Sequence, residues 1–181
     1  MTILNRALAA IERIATWIAA AVMFAIMVIV SADVLMRYVF NSPFGWAYDL
    51  ISLYLMAAVF FLVLSPAYRQ GTHVSVDILQ QRLPDRPYRL TEVVTTGASF
   101  VVFVLIAHVG WNRAADAYTQ ADVLAGAIPW PTWPAYALVP FGAGLLAIRL
   151  AIDFFGHLGS LLTGRDLISV RRHGHGQETF E

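Results

Sequence analysis

From Ile14 to Ala32 the chain carries no charged side chain, and the same holds from Val93 to Asn112. A helix that crosses about 30 Å of hydrocarbon needs roughly 20 mostly apolar residues at about 1.5 Å each. Both runs meet that length, and no strand is this long. Two further segments read the same way: one from Trp46 to about Ser65, interrupted only by Asp49, and one from Pro134 towards Leu162, interrupted by Arg149 and Asp153. The first run extends naturally through Asp33 and Arg37 to Tyr38, long enough to cross at a tilt. The expected fold class is an all-α membrane protein with four transmembrane helices. A composition that is 59% hydrophobic and 13% charged agrees, because a soluble domain carries about twice that share of charge.

Arginine placement orients the spans, since short loops rich in basic residues stay in the cytoplasm. Arg6 and Arg13 precede the first span, Arg37 is alone near the first loop, and Arg69, Arg82, Arg86 and Arg89 lie between spans two and three. Arg113 is alone in the third loop, and Arg165, Arg171 and Arg172 follow the fourth span. Both termini and the middle loop are therefore expected inside, giving a multi-pass membrane protein, N-in and C-in. Trp46, Trp111, Trp130, Trp133, Tyr38 and Tyr136 gather at the opposite ends of the spans, where amphipathic rings sit at headgroup level. Residues 1–165 form the expected transmembrane domain, and 166–181 a disordered cytoplasmic tail poor in apolar residues. Val30-Ser-Ala32 resembles a signal-peptide cleavage site, but the apolar run before it exceeds the usual core of a signal peptide. The segment before it also reads as an amphipathic helix, with Ile3, Leu4, Leu8 and Ile11 set against Arg6 and Arg13.

Between spans two and three, Val76, Leu79 and Leu83 fall at helical spacing opposite Asp77, Gln80, Gln81 and Arg82. This pattern predicts a short amphipathic helix along the cytoplasmic interface, ended by Pro84, with Asp85 starting the third long helix. Gly97, Ala98 and Ser99, and Gly142, Ala143 and Gly144, are small enough for close helix contact within the bundle or against a membrane partner.

Ionisable groups within spans are costly, which singles out Asp33, Arg37, Asp49, His108, Arg149 and Asp153. Asp33 with Arg37, and Arg149 with Asp153, stand four apart and can pair along one helical face. Arg37 and Asp49 flank the turn Asn41-Ser-Pro-Phe-Gly45 and could instead pair across it. Such pairs more often hold helices than carry ions. His108 and His157 lie at different depths, so they do not match as axial ligands of a haem. Zero net charge gives no attraction to nucleic acid, and the lack of cysteine removes thiolate chemistry. No phosphate loop or hydrolytic constellation is present, and neither an enzyme nor a cofactor is expected.

In order along the chain stand Arg37-Tyr-Val-Phe-Asn-Ser-Pro43, Trp46 and Asp49, then His73-Val-Ser-Val-Asp77-Ile-Leu79, then Ile128-Pro-Trp-Pro, Tyr136, Pro140, Gly142 and Leu145-Leu146. On four spans with this orientation, the set resembles the DctQ-like small membrane subunit of tripartite ATP-independent periplasmic (TRAP) transporters. It departs from the family's pattern at Tyr48-Asp49, where two glutamates are usual, and at Ser65-Pro66, where a small glycine or alanine step is usual. The resemblance implies a three-part importer, in which a periplasmic solute-binding protein delivers an organic acid and a large membrane subunit moves it on a sodium or proton gradient. This chain would brace the large subunit. Arg37, Trp46 and Asp49 would organise the periplasmic end of the first hairpin, and His73 and Asp77 would shape the cytoplasmic turn. The competing expectations are an independent small channel or exporter, with Asp33 facing the path, and a membrane anchor for a respiratory enzyme.

Overall fold

Nothing between Thr2 and Phe40 breaks a helix: the segment holds neither glycine nor proline. A computed structural model describes residues 2–70, 85–126 and 128–163, and in it this segment is one helix of 39 residues, α1, Thr2–Phe40. At about 1.5 Å per residue it is nearly twice as long as a bilayer core is thick. It stops at Asn41, whose φ of 48° is left-handed, and the Ser42 amide reaches back to the Met36 carbonyl at 3.2 Å. Asparagine tolerates that conformation better than most residues, and Pro43 then prevents the helix from resuming.

The second helix, α2, Ala47–Gln70, contains a π-helical turn at Ile51–Leu55. The third, α3, spans Asp85–Thr119 and starts at the expected acid, with Pro87 in its first turn. Its end is a Schellman motif. Ala121 stands at φ 51°, the Asp122 amide bonds the Ala117 carbonyl at 3.0 Å, and the Ala121 amide bonds Tyr118 at 3.3 Å. The fourth, α4, spans Trp133–Thr163. All four helices are long and apolar enough to cross a membrane, and no strand occurs among the described residues apart from the isolated bridge Val123 to Pro131. Each expected span therefore matches one helix to within a residue or is exceeded by it, most at the start of α1, the end of α2 and both ends of α3. The expected amphipathic helix between spans two and three, with His73 and Asp77, and the tail 166–181 lie outside the described residues.

Contacts order the helices as a row. α1 packs on α2, α2 on α4, and α4 on α3. α4 is accordingly the most buried, with Ala143, Leu146 and Leu150 almost wholly enclosed. α1 and α3 keep broad apolar faces exposed, among them Trp17, Met23 and Phe24 on one and Val94, Val101 and Trp111 on the other. Lipid is the natural solvent for such faces.

Small residues set the contacts between helices. A Cβ on Gly142 would collide with the Phe61 backbone of α2, lying 2.7 Å from its carbonyl carbon, and one on Gly97 would stand 2.9 Å from the Phe154 ring of α4. A Cβ on Gly144, by contrast, would meet nothing within 4 Å. Lipid tails are as apolar as the helices themselves, so packing of this kind rather than water exclusion holds α2 to α4. Gly142→Leu should therefore force the two helices apart and cost about 1–3 kcal/mol, whereas Gly144→Ala should change little. Thermal unfolding of the detergent-solubilised protein separates the two; equal losses would show that the α2–α4 approach is not what Gly142 serves.

Candidate functional site

The charged clusters lie at the two ends of the bundle along the helix axes. At the loop end, Asp33 of α1 uses both carboxylate oxygens. Oδ2 accepts from Arg37 Nη2 at 2.7 Å, and Oδ1 accepts the Phe44 amide at 2.7 Å. The pair expected one helical turn apart is thus formed. The alternative pair across the turn is not: Arg37 is engaged by Asp33, one turn away on the same face of the helix. What ties the first hairpin is Asp33, which binds the backbone of the following turn. The salt bridge adds little to this, because the Arg37 side chain is 58% exposed against 14% for Asp33.

Trp46 follows Phe44 across this turn, and the two rings stack with centroids 5.4 Å apart. The Trp46 carbonyl accepts the Leu50 amide, which opens α2. Half-buried Asp49 turns towards the third loop, where a Cβ on Gly126 would strike its carboxylate. Only glycine lets the two segments approach so closely. Among the described residues no hydrogen bond or ion pair reaches the Asp49 carboxylate.

One turn beyond Asp49, the π-helical turn shifts the register of α2 and carries Tyr54 to the same loop. Its hydroxyl donates to the Pro131 carbonyl, and its ring meets Trp130 edge-on at 6.0 Å. Such turns are rare and concentrate where a side chain must be re-aimed. The loop itself is laced by Leu124 to Trp130 and Thr132 to Asp122 backbone bonds of 2.8 and 3.0 Å. Around it stand Tyr118 against Trp133 and the Arg113 guanidinium 5.3 Å from the Tyr136 ring centre. Of the aromatic collar expected from the sequence, Trp130 ties the third loop to α2 through Tyr54, while Trp46 stacks within the first loop and Tyr38 and Trp111 stay exposed.

At the opposite end lies a group that the uncharged-run count passes over. Glu12 is 1% exposed. Its Oε1 accepts from Ser65 Oγ of α2 at 2.8 Å and lies 3.6 Å from Arg149 Nε of α4, while Oε2 lies 3.5 Å from Arg69 Nη1. One carboxylate thus gathers three helices. Arg149, which the sequence places one turn before Asp153, reaches across to α1. Glu12 falls just outside the uncharged first span, so its depth is not evident from hydropathy. The signal that could have found it is the stripe Leu8, Glu12, Ala15, Ala19, all buried, at one helical face of α1. Ile11, counted on the apolar side, is 44% exposed instead.

Between Glu12 and Asp33, about 30 Å apart along α1, no described helix carries a charged residue towards a shared interior. His108 is exposed beside Asn112, and no group of three or more His, Asp or Glu side chains converges among the described residues. The two clusters are chemically satisfied ties rather than reacting groups. Removing one partner of a buried ion pair typically costs about 3–5 kcal/mol, whereas replacing both with apolar residues is often nearly neutral. Glu12→Leu should accordingly destabilise far more than Glu12→Leu combined with Arg149→Leu. Additive losses in thermal unfolding would show that the two side chains do not act as a pair.

The family model for tripartite ATP-independent periplasmic transporters, DctQ component, matches residues 26–159. The sialic acid TRAP transporter permease protein SiaT of Haemophilus influenzae is 32% identical to this chain over 116 residues. That match covers 64% of this chain but 19% of the relative, so the chain spans about one fifth of its length.

Proposed function

Since the chain belongs to the DctQ family of TRAP transporter components, and is a small permease subunit rather than an enzyme, we propose that it braces a large membrane subunit. That large subunit uses an ion gradient to take up an organic acid delivered by a periplasmic binding protein. The observation that carries the reading is the separation of charge from interior. The ion pairs of Asp33 and Glu12 stand at opposite ends of the helix axes, and the packed centre between them is apolar. A solute path needs polar groups at mid-membrane. Asp33, the acid best placed for an independent channel, spends both oxygens on Arg37 and Phe44. The sialic acid of the relative's name belongs to the organic acids, which supports that substrate class here.

In this reading the helices stand in the inner membrane with both termini cytoplasmic, the transmembrane unit ends near residue 165, and residues 166–181 are a cytoplasmic tail. The arginine-poor loops with Asp33, Trp46 and Asp49 then face the periplasm. His73 and Asp77 shape the cytoplasmic turn. The exposed faces of α1 and α3 supply the area that a membrane partner covers.

Expression of the tagged chain with its genomic neighbours, purification in mild detergent and mass spectrometry of what copurifies tests the assignment. A large hydrophobic permease should be recovered in a one-to-one ratio; recovery of the chain alone contradicts the brace. Within that complex, Asp49→Ala should lower uptake without changing which solute is taken, while thermal stability holds because Asp33 rather than Asp49 ties the hairpin. Unchanged uptake would remove Asp49 from any role at the periplasmic rim.

A further inference from the structure

An apolar groove of about 430 Å³ runs between α3 and α4 near the loop end, lined by Leu105, Ile106, Val109, Gly110, Tyr136 and Val139 and closed at its upper rim by Arg113. Its origin is local. Residues 105, 106, 109, 110 and 113 lie on one face of α3. Gly110 lets α4 come so close that a Cβ would stand 2.9 Å from Val139 and 3.1 Å from Pro140. The larger side chains on either side of that contact hold the helix surfaces apart. From Leu105 to Arg113 the groove extends about 12 Å along the helix axis.

The rim differs from the floor. Arg113 is exposed, its guanidinium is held over the Tyr136 ring, and among the described residues no carboxylate pairs with it. Of the two arginines at the loop end of the bundle, Arg37 is neutralised by Asp33, which leaves Arg113 as the cation without an anion among the described residues. Exposed Trp111, Tyr118 and Trp133 lie at the same end of α3 and α4, side chains that settle at headgroup depth. An apolar slot that ends in an oriented guanidinium at that depth complements an amphiphile with an anionic head. A helix of a protein partner would fill the slot but leave the cation unpaired unless it carried an acid at that level.

The geometry points to a bound phospholipid, with its phosphate on Arg113 and one acyl chain lying along Val109 and Leu105. The planar guanidinium suits the phosphate because it offers two parallel donors. This site is independent of the transport assignment and requires only that the helices stand in a bilayer.

The test uses the full chain purified with its partners and given a phospholipid that carries a photoactivatable diazirine in its acyl chain. Adducts should concentrate on the peptide containing Leu105 to Arg113. Arg113→Ala should reduce them about ten-fold, Arg113→Lys should restore part of the labelling, and a diazirine fatty alcohol without phosphate should label weakly. Because the chain has no cysteine, Val109→Cys places a single thiol in the slot for crosslinking. Equal labelling in Arg113→Ala, labelling spread evenly over the exposed face of α3 as annular lipid, or crosslinking of Val109→Cys to a partner protein would each overturn the site.

Discussion

A carboxylate buried among apolar helices has to be matched by donors or it drives the helix that bears it out of the bundle. Glu12 is that carboxylate. α1 packs chiefly on α2 and leaves most of its surface exposed, so dispersion alone holds it along one seam. Ser65 supplies the short bond to Glu12, and Arg149 supplies the charge from α4, the most buried helix of the row. The outermost helix is thereby fastened both to its neighbour and to the core beyond it. Asp33 fastens the other end of the same helix by holding the amide of Phe44. The two acids stand about one hydrocarbon thickness apart, and that spacing fixes how far α1 slides against the rest.

Much of this architecture is legible in the sequence because the bilayer imposes so few solutions. Apolar length finds the spans, two of them wholly uncharged, and Asn41-Ser-Pro43 and Asp85 mark helix boundaries through local backbone chemistry. Gly142 and Gly97 are recognisable as contact points because small residues are what lets helices approach in lipid. The Asp33–Arg37 pair follows from spacing. Glu12 does not, because a charge beside a span reads as interfacial until three helices are folded around it. Neither does the partner of Arg149: spacing along α4 points to Asp153, whereas the carboxylate within reach in three dimensions belongs to α1. The π-helical turn is likewise silent in composition, since it answers to the position of Trp130 and Pro131 far along the chain. Ser65, a departure from the family's usual pattern, is the residue that donates to Glu12.

These ties bear on function through stiffness. In the proposed assembly the moving parts belong to the large subunit, and a brace is useful only if it does not yield. A bundle whose outer helix is pinned at both ends, whose third loop is bonded to α2 by Tyr54 and packs closely on it at Asp49 and Gly126, and whose centre is apolar has few low-energy ways to open. In that proposal the same features leave the described helices without a charged path, so stiffness and an apolar centre have one physical cause.

That cause is tested most directly by reconstituting the chain alone into liposomes and measuring solute and ion flux under an imposed sodium or proton gradient. The account predicts no flux above that of protein-free vesicles. Saturable flux, abolished by substitution of Asp33 or Glu12, would contradict it and make those acids part of a pathway.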